Sequence, residues 1–393
     1  MQQFMSRREL LLGLPVAAAG LLVCGLSPAR ERSRSDLFTN YPFQAGEFGY
    51  HCFRTPGLAV TASGVVLAFC GGRLITCKDD GDHDVVLRRS VDGGQTWEQI
   101  QVIANDQRNR CDIPVPVVLS SGRVLLLWVW NEYVTREEQR GKRHVMVCHS
   151  DDQGLTWSAP RDITRQVRRP GWKGWYGIGP GHGFVMQHGR SQGRIVVPAR
   201  HGEPSGGSRS HLILSDDDGI NWYVGGQANG PHPSNEATAC ELGNGIIMMN
   251  SRGSIGYRII TLIKEGGLVT DQTFVDYSLV EPKNGCQGSL LTYRIDTVSQ
   301  RATLLFSNPS NPFSRTDGRL RVSINNGETW NNGSDYTIER NGFCGYSDLA
   351  RFSNGDIGIL FESGEAENGL RKKSDRYKQI AFKRIKPLLA QTG

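Results

Sequence analysis

The chain has 393 residues, 38% of them hydrophobic, which is enough for a sizeable core and long for one ordinary domain, although all-β units reach such lengths. Its formal charge is +6, of which +3 lies in residues 1–35 (five Arg, two Glu), so the remainder lacks the concentrated basic face that nucleic-acid binding requires. Beyond the N-terminus no apolar run is long enough to span a membrane, and the absence of a CxxC pair or Cys/His cluster speaks against a zinc site; no metal or cofactor is expected. In chain order, Ser6-Arg7-Arg8-Glu9-Leu10-Leu11 comes first and is a twin-arginine pattern. The apolar stretch Leu10–Leu26 follows, then Ser27 and Ala29 as small residues ahead of a cleavage point. Residues 1–29 therefore read as an export signal, with a periplasmic or extracellular destination. Pro15 and the short length argue against a permanent anchor, and Val23 against lipid attachment at Cys24. Residues 30–48 read as a linker or N-terminal segment. The eight Cys beyond the signal are scattered and read as buried thiols with one or two disulfides.

From residue 49 onward the chain reads as short strands and hairpins without long helical periodicity. Ala62-Ser63-Gly64 leads into Val65–Phe69, Ser120-Ser121-Gly122 separates Val115–Leu119 from Val124–Trp130, and Gly243-Asn244-Gly245 precedes Ile246–Asn250. Ser353-Asn354-Gly355 precedes Ile357–Phe361, and a strand over Lys378–Ile385 is expected to close against early strands. Four segments share the pattern Ser-x-Asp-x-Gly-x-Thr-Trp: Ser90–Trp97, Ser150–Trp157, Ser215–Trp222 and Ser323–Trp330, with Asn221 replacing Thr and Asn325 replacing Asp. Asp and Ser can bond to backbone N–H groups of a tight turn, Gly takes the conformation other residues resist, and Trp folds back as a plug. The motif resembles the Asp-box of sialidase-type propellers, where it joins outer strands away from the catalytic face. Boxes recur at intervals of 60 and 65 residues and then after 108. A blade of roughly 60 residues repeated about six times fills residues 49–388, so the expected fold is an all-β, six-bladed β-propeller; a decorated β-sandwich is the runner-up.

A second set of motifs resembles the sialidase family in order along the chain. Phe53-Arg54-Thr55-Pro56, after the first predicted strand, is similar to the Phe/Tyr-Arg-Ile-Pro motif, which implies that Arg54 is the first of three arginines that clamp a substrate carboxylate. Ala68-Phe69-Cys70-Gly71-Gly72-Arg73 resembles Ala-Phe-Ala-Glu-Gly-Arg and implies an accessory Arg73. Lys78-Asp79-Asp80-Gly81-Asp82-His83-Asp84 resembles the loop that carries the general acid/base, assigned to Asp79 with Asp80 as nearest rival. Asp112-Ile113-Pro114-Val115-Pro116 resembles a segment bordering the N-acyl pocket and implies a substrate contact at Asp112. Gly179-Pro180-Gly181-His182-Gly183 resembles another active-face loop, with no catalytic role given to His182.

Asn235-Glu236 through Asn250-Ser251-Arg252 is the strongest local match, implying Glu236 as partner of the nucleophile and Arg252 as second clamp. Gly285-Cys286-Gln287-Gly288-Ser289 implies a substrate-facing Gln287 or else a buried structural one. Phe306-Ser307-Asn308-Pro309 followed by Arg315 implies the third clamp, with Arg319 and Arg321 as rivals whose alternation fits a strand. Gly345-Tyr346-Ser347 and Gly358–Glu362 imply Tyr346 as nucleophile and Glu362 as the group orienting Arg54.

What the resemblance implies is an exo-α-sialidase. A carboxylate beside the anomeric carbon would repel a carboxylate nucleophile, and sialidases use a Tyr instead. The expected partners are sialylated glycans, with no nucleic acid or membrane, and the chain is expected to act as a monomer. The competing readings are a non-catalytic sialoglycan-binding propeller and a trans-sialidase, intramolecular or not.

Overall fold

The computed structural model describes residues 36–134, 141–330, 335–366 and 376–386; the signal expected at 1–29 lies outside them. Among the described residues are 25 strands and a single turn of α-helix, Thr164–Val167. After β1 (Asp36–Gln44) comes a meander of β2 (Cys52–Val60), β3 (Val66–Arg73), β4 (His83–Ser90) and β5 (Gln101–Ala104). A second meander holds β6 (Arg110–Val118), β7 (Val124–Asn131), β8 (Arg143–Ser150) and β9 (Arg161–Asp162). One parallel bridge, His83 to Arg110, joins these two into an eight-stranded sheet. The third group is β10 (Lys173–Ile178), β11 (Phe184–Val185), β12 (Ile195–Gly202), β13 (Ser208–Ser215) and β14 (Tyr223–Gln227). Next are β15 (Ala237–Glu241), β16 (Ile247–Ser251), β17 (Tyr257–Lys264) and β18 (Val269–Val280). Then come β19 (Ser289–Asp296), β20 (Arg301–Pro309), β21 (Gly318–Ser323) and β22 (Tyr336–Glu339). The last sheet has the order β1-β25-β24-β23, from β23 (Phe343–Arg351), β24 (Ile357–Gly364) and β25 (Gln379–Ile385). Five hydrogen-bonded sheets thus make an all-β propeller.

Strand β3 is buried along its whole length, so it reads as an apolar run rather than an alternation. The first strands of successive groups are stitched together by side chains. Leu58 N–H donates to Asp348 at 2.7 Å, Leu290 N–H to Thr238 Oγ1 at 3.0 Å, and Leu349 N–H to Ser289 Oγ at 3.1 Å. The expected C-terminal strand pairs as foreseen with the early chain, Asp36 opposite Ile385 and Gln44 opposite Gln379. The linker reading of 30–48 is corrected here. Asp36–Gln44 of that segment is β1, the outermost strand of the last sheet, and Phe43 is fully buried in the core.

The boxes are structural staples, each in the turn before the last strand of its group. In the first, Ser90 Oγ accepts Gly94 N–H at 2.7 Å and Asp92 accepts Thr96 N–H at 2.9 Å. The two substituted boxes rebuild the same bonds with other atoms. Asn221 donates through Nδ2 to Asp217 at 2.7 Å in place of the Thr hydroxyl, and Asn325 Oδ1 accepts Thr329 N–H at 3.1 Å in place of the Asp carboxylate. The Trp plugs reach across to other strands: Trp97 meets Phe382 edge-on at 5.3 Å, and Trp157 meets Phe69 at 5.9 Å.

Burial of Asp92 is outweighed by the bonds from Thr96, Ser90 and Gln95, and its carboxyl is held down at about 2, against an ordinary 3.8. Asp152 is held down to about 2 by its Thr156 bonds. A depressed folded pKa adds stability above about pH 4 that is lost as pH falls towards 2. Asp92→Ala should therefore lower stability at pH 7 by about 1 kcal/mol, discounted for the exposed turn. The difference from the parent protein should vanish near pH 2. Urea midpoints against pH measure this; a pH-independent difference would sink the explanation.

Candidate active site

Several site residues are presented by irregularities in otherwise regular strands. Arg54 lies inside β2 rather than after a strand, and the register slips between Arg54 and Gly57. Asp112 lies in β6 at the same kind of slip, between Asp112 and Val115, and Tyr346 at another in β23, between Cys344 and Ser347. Thr55 and Ile113, both β-branched and both before Pro, take φ of 56° and 61°. That conformation is costly for such residues and persists only when its surroundings impose it. At Thr55 the surroundings do: its N–H donates to Glu362 at 3.1 Å and its hydroxyl to Asp112 at 2.6 Å. These bulges turn side chains from different groups towards one place.

That place is centred on Tyr346. Its phenol donates to Glu236 Oε1 at 2.5 Å, and Arg252 donates to Glu236 Oε2 at 2.8 Å and to the phenol oxygen at 3.1 Å. The Arg315 guanidinium carbon lies 5.2 Å from the Tyr346 ring centre and that of Arg54 5.8 Å. The three arginines expected to act together therefore converge, from β2, from the residue after β16, and from the loop between β20 and β21. Arg319 and Arg321 lie on β21 as their alternation suggested, bonded to Asp317 and Asn308.

Burial raises the Tyr346 phenol well above its usual range, and Glu236 adds to this against Arg252 and Arg315; the phenol is neutral. Burial also pushes Glu236 up, but Arg252 and Arg200 outweigh it and keep the carboxyl below its ordinary value, ionised and ready to accept a proton. Glu362, fully buried, ties the pieces together: it accepts from Arg54 Nε at 3.2 Å and from Tyr346 N–H at 3.1 Å. Gly345 is required here, since a Cβ would sit 2.2 Å from Glu362 Oε2.

Asp79, not Asp80, meets the arginines. Its Oδ1 accepts from Arg54 and from Arg73, each at 2.9 Å, while its side chain stays 68% exposed. Partial desolvation of the carboxyl oxygen against the arginines pushes it up, but the charges of Arg54, Arg73 and Arg110 prevail and hold the carboxyl far below the usual range.

Three residues expected to touch a substrate lie behind this layer instead. Arg73 is fully buried and donates to the Cys77 carbonyl at 2.7 Å and to Asp112 at 3.3 Å. Asp112, also fully buried, is neutralised by Arg110 at 2.9 Å and by Arg73, and bonded to His83 at 3.2 Å. Gln287, 1% exposed, donates to the Pro180 and Ser347 carbonyls at 3.1 and 2.9 Å and accepts from Ser347 N–H at 3.0 Å, which makes it the structural glutamine. Gly71, where the resembling motif has Glu, is explained by Asp112: a Cβ there would lie 2.2 Å from Asp112 Oδ1. His182 bonds to Asp348 at 2.7 Å.

Sequence reasoning missed four neighbours. Tyr377 stacks on Arg54 at 4.1 Å, and Arg200 donates to Asn235 beside Glu236. Trp175 lies 3.6 Å from the Arg143 guanidinium and 5.7 Å from that of Arg200, and Arg110 donates to the Asp79 carbonyl at 2.6 Å. Arg110 carried a signal, standing two residues before Asp112 on the same strand face; the others sit in loops or strands with no motif.

The chain matches the BNR repeat-like domain over residues 65–359. It is 30% identical to a sialidase of Micromonospora viridifaciens, over 91% of this chain and 58% of that protein. It is 28% identical to a sialidase of Bacteroides fragilis, over 82% of this chain and 62% of that one, so it spans about three fifths of the length of these relatives. Among solved structures it is similar to a Hadza microbial sialidase with a TM-score of 0.74 and 25% identity, covering 89% of this chain and 68% of that one. With four boxes in their expected places and the arginines gathered round Tyr346, the chain belongs to the sialidase family with BNR (Asp-box) repeats.

Proposed function

We propose that this protein is a retaining exo-α-sialidase that removes terminal α-linked sialic acid from glycoconjugates, acting as an exported monomer on a six-bladed propeller. The count of six rests on reading the eight-stranded sheet as two four-stranded blades held by one bridge. The observation that carries the function is the phenol–carboxylate pair, 2.5 Å apart, ringed by three guanidinium groups.

The chemistry follows from the charges. Arg54, Arg252 and Arg315 hold the sugar carboxylate by charge-assisted hydrogen bonds. Glu236 takes the phenol proton as Tyr346 oxygen bonds to the anomeric carbon, and the glycosidic bond breaks with its electron pair on oxygen. Asp79 supplies the proton to that oxygen, then removes one from the incoming water. Water displaces Tyr346, Glu236 returns the proton to the phenol, and two inversions leave net retention. A binding-only propeller could dispense with the phenol, its base or the acid; all three side chains are present here.

Proton NMR of a reaction with an α-sialyl galactoside tests the proposal. Free sialic acid appearing first as the α-anomer is expected. The β-anomer appearing first excludes retention, an anhydro sugar or a transferred sialyl group identifies the trans-sialidase readings, and no release at all identifies a binding protein.

A further inference from the structure

The loop between β3 and β4 carries Asp79 and is exposed at Leu74–Thr76 and again at Lys78–Asp80. Its neck is closed by one backbone bond, Leu74 N–H to Asp82 at 3.1 Å. Most of what else holds it is guanidinium. Arg54 and Arg73 donate to the Cys77 carbonyl at 3.3 and 2.7 Å, Arg73 also to Lys78, and Arg110 to the Asp79 carbonyl at 2.6 Å. Arg54 is a poor permanent anchor for this loop, because a bound carboxylate competes for the same donors.

One link does not compete. Cys77 forms a disulfide with Cys52, the first residue of β2, and it is the single disulfide among the described residues. Cys52 stands two residues before Arg54 and Cys77 two residues before Asp79. The covalent bond therefore ties the Asp79 loop to the strand that carries Arg54, at a Cα–Cα distance of 5.8 Å, whatever the arginines are bonded to.

We infer that the Cys52–Cys77 disulfide is a positioning element for proton donation by Asp79, keeping the carboxyl over the glycosidic oxygen while the substrate draws Arg54 away. This rests on Asp79 being the acid. A dithiol reductant would split the bond, giving two electrons and two protons to form two thiols while itself closing to a cyclic disulfide, and would leave the phenol, its base and the arginines in place.

The test compares an α-sialyl galactoside, whose leaving group needs a proton, with a nitrophenyl α-sialoside, whose leaving group hardly does. Misplacing a catalytic group by about 1 Å costs up to about 10²-fold. Wild-type protein treated with dithiothreitol, and the double variant Cys52→Ser/Cys77→Ser, should lose about 10- to 100-fold in kcat/KM on the galactoside, while kcat/KM on the nitrophenyl sialoside, which does not include the later water step, stays near the untreated value. Reoxidation should restore the reduced wild type, which keeps the test usable if the double variant folds poorly. Equal losses on both substrates, or no loss on either, overturn the inference, as does alkylation of both cysteines in the unreduced native protein. Asp79→Ala separates the two levels: if it too fails to discriminate between the substrates, the acid assignment is wrong; if it discriminates and the reduced protein does not, only the positioning role falls.

Discussion

Replacing Tyr346 by phenylalanine is expected to lower kcat on α-sialosides by about three orders of magnitude or more, with KM near that of the parent protein. The phenylalanine ring keeps the same place among Arg54 and Arg315, so the carboxylate clamp survives. What disappears is the oxygen that Glu236 deprotonates at 2.5 Å. Glu236→Gln is a companion test: its amide oxygen can still accept the phenol hydrogen bond but cannot take up the proton, which should cost about 10²- to 10⁴-fold in kcat. The two changes act on one proton transfer, so the double variant should be scarcely slower than Tyr346→Phe alone. Near-parental turnover by Tyr346→Phe would remove the nucleophile assignment, and additive losses would mean that the pair does not act as a unit.

The parts of this site that were legible in the sequence are those carried by motifs that resemble the sialidase family. The resemblance implied a Tyr, a Glu and three arginines acting together, and the chain folds them together. Asp79 and Asp80 are adjacent and chemically alike, so only geometry separates them: the arginines meet Asp79. Asp112 and Arg73 were misjudged for a related reason. Each is the right type to face a substrate, but each is neutralised by the other, 39 residues away in the chain, and Asp112 also by Arg110 on its own strand. Gln287 likewise spends its donors on two backbone carbonyls, one of them 107 residues away. Sequence reports which groups exist, not which partner has already satisfied them.

The fold shows the same division. The boxes announce themselves because their bonds are local, within four residues of the Asp, and the Asn substitutions preserve them. Strand β1 does not. It is an outer strand with exposed or half-exposed residues until Pro42 and Phe43, and its pairing partner lies at the far end of the chain. No local pattern can distinguish such a strand from a linker.

Asp79→Ala should cost about 10²- to 10⁴-fold in kcat/KM on an α-sialyl galactoside and far less on a nitrophenyl α-sialoside, while Asp80→Ala leaves both values near the parental ones. The pH dependence gives a second handle. In the unliganded protein Arg54, Arg73 and Arg110 hold Asp79 ionised, below its ordinary range. A substrate carboxylate seated on Arg54 cancels part of that positive field, so the Asp79 pKa rises when the site is filled. The acid must be protonated to work, so the rate falls as pH rises through its pKa. The limb seen in kcat/KM reports the free protein and the limb seen in kcat reports the complex. The alkaline fall of kcat on the galactoside should therefore lie at higher pH than the fall of kcat/KM, and Asp79→Ala should abolish both. Coincident limbs would mean that the substrate does not displace Arg54 from Asp79, and limbs that survive in Asp79→Ala would place the proton donor elsewhere.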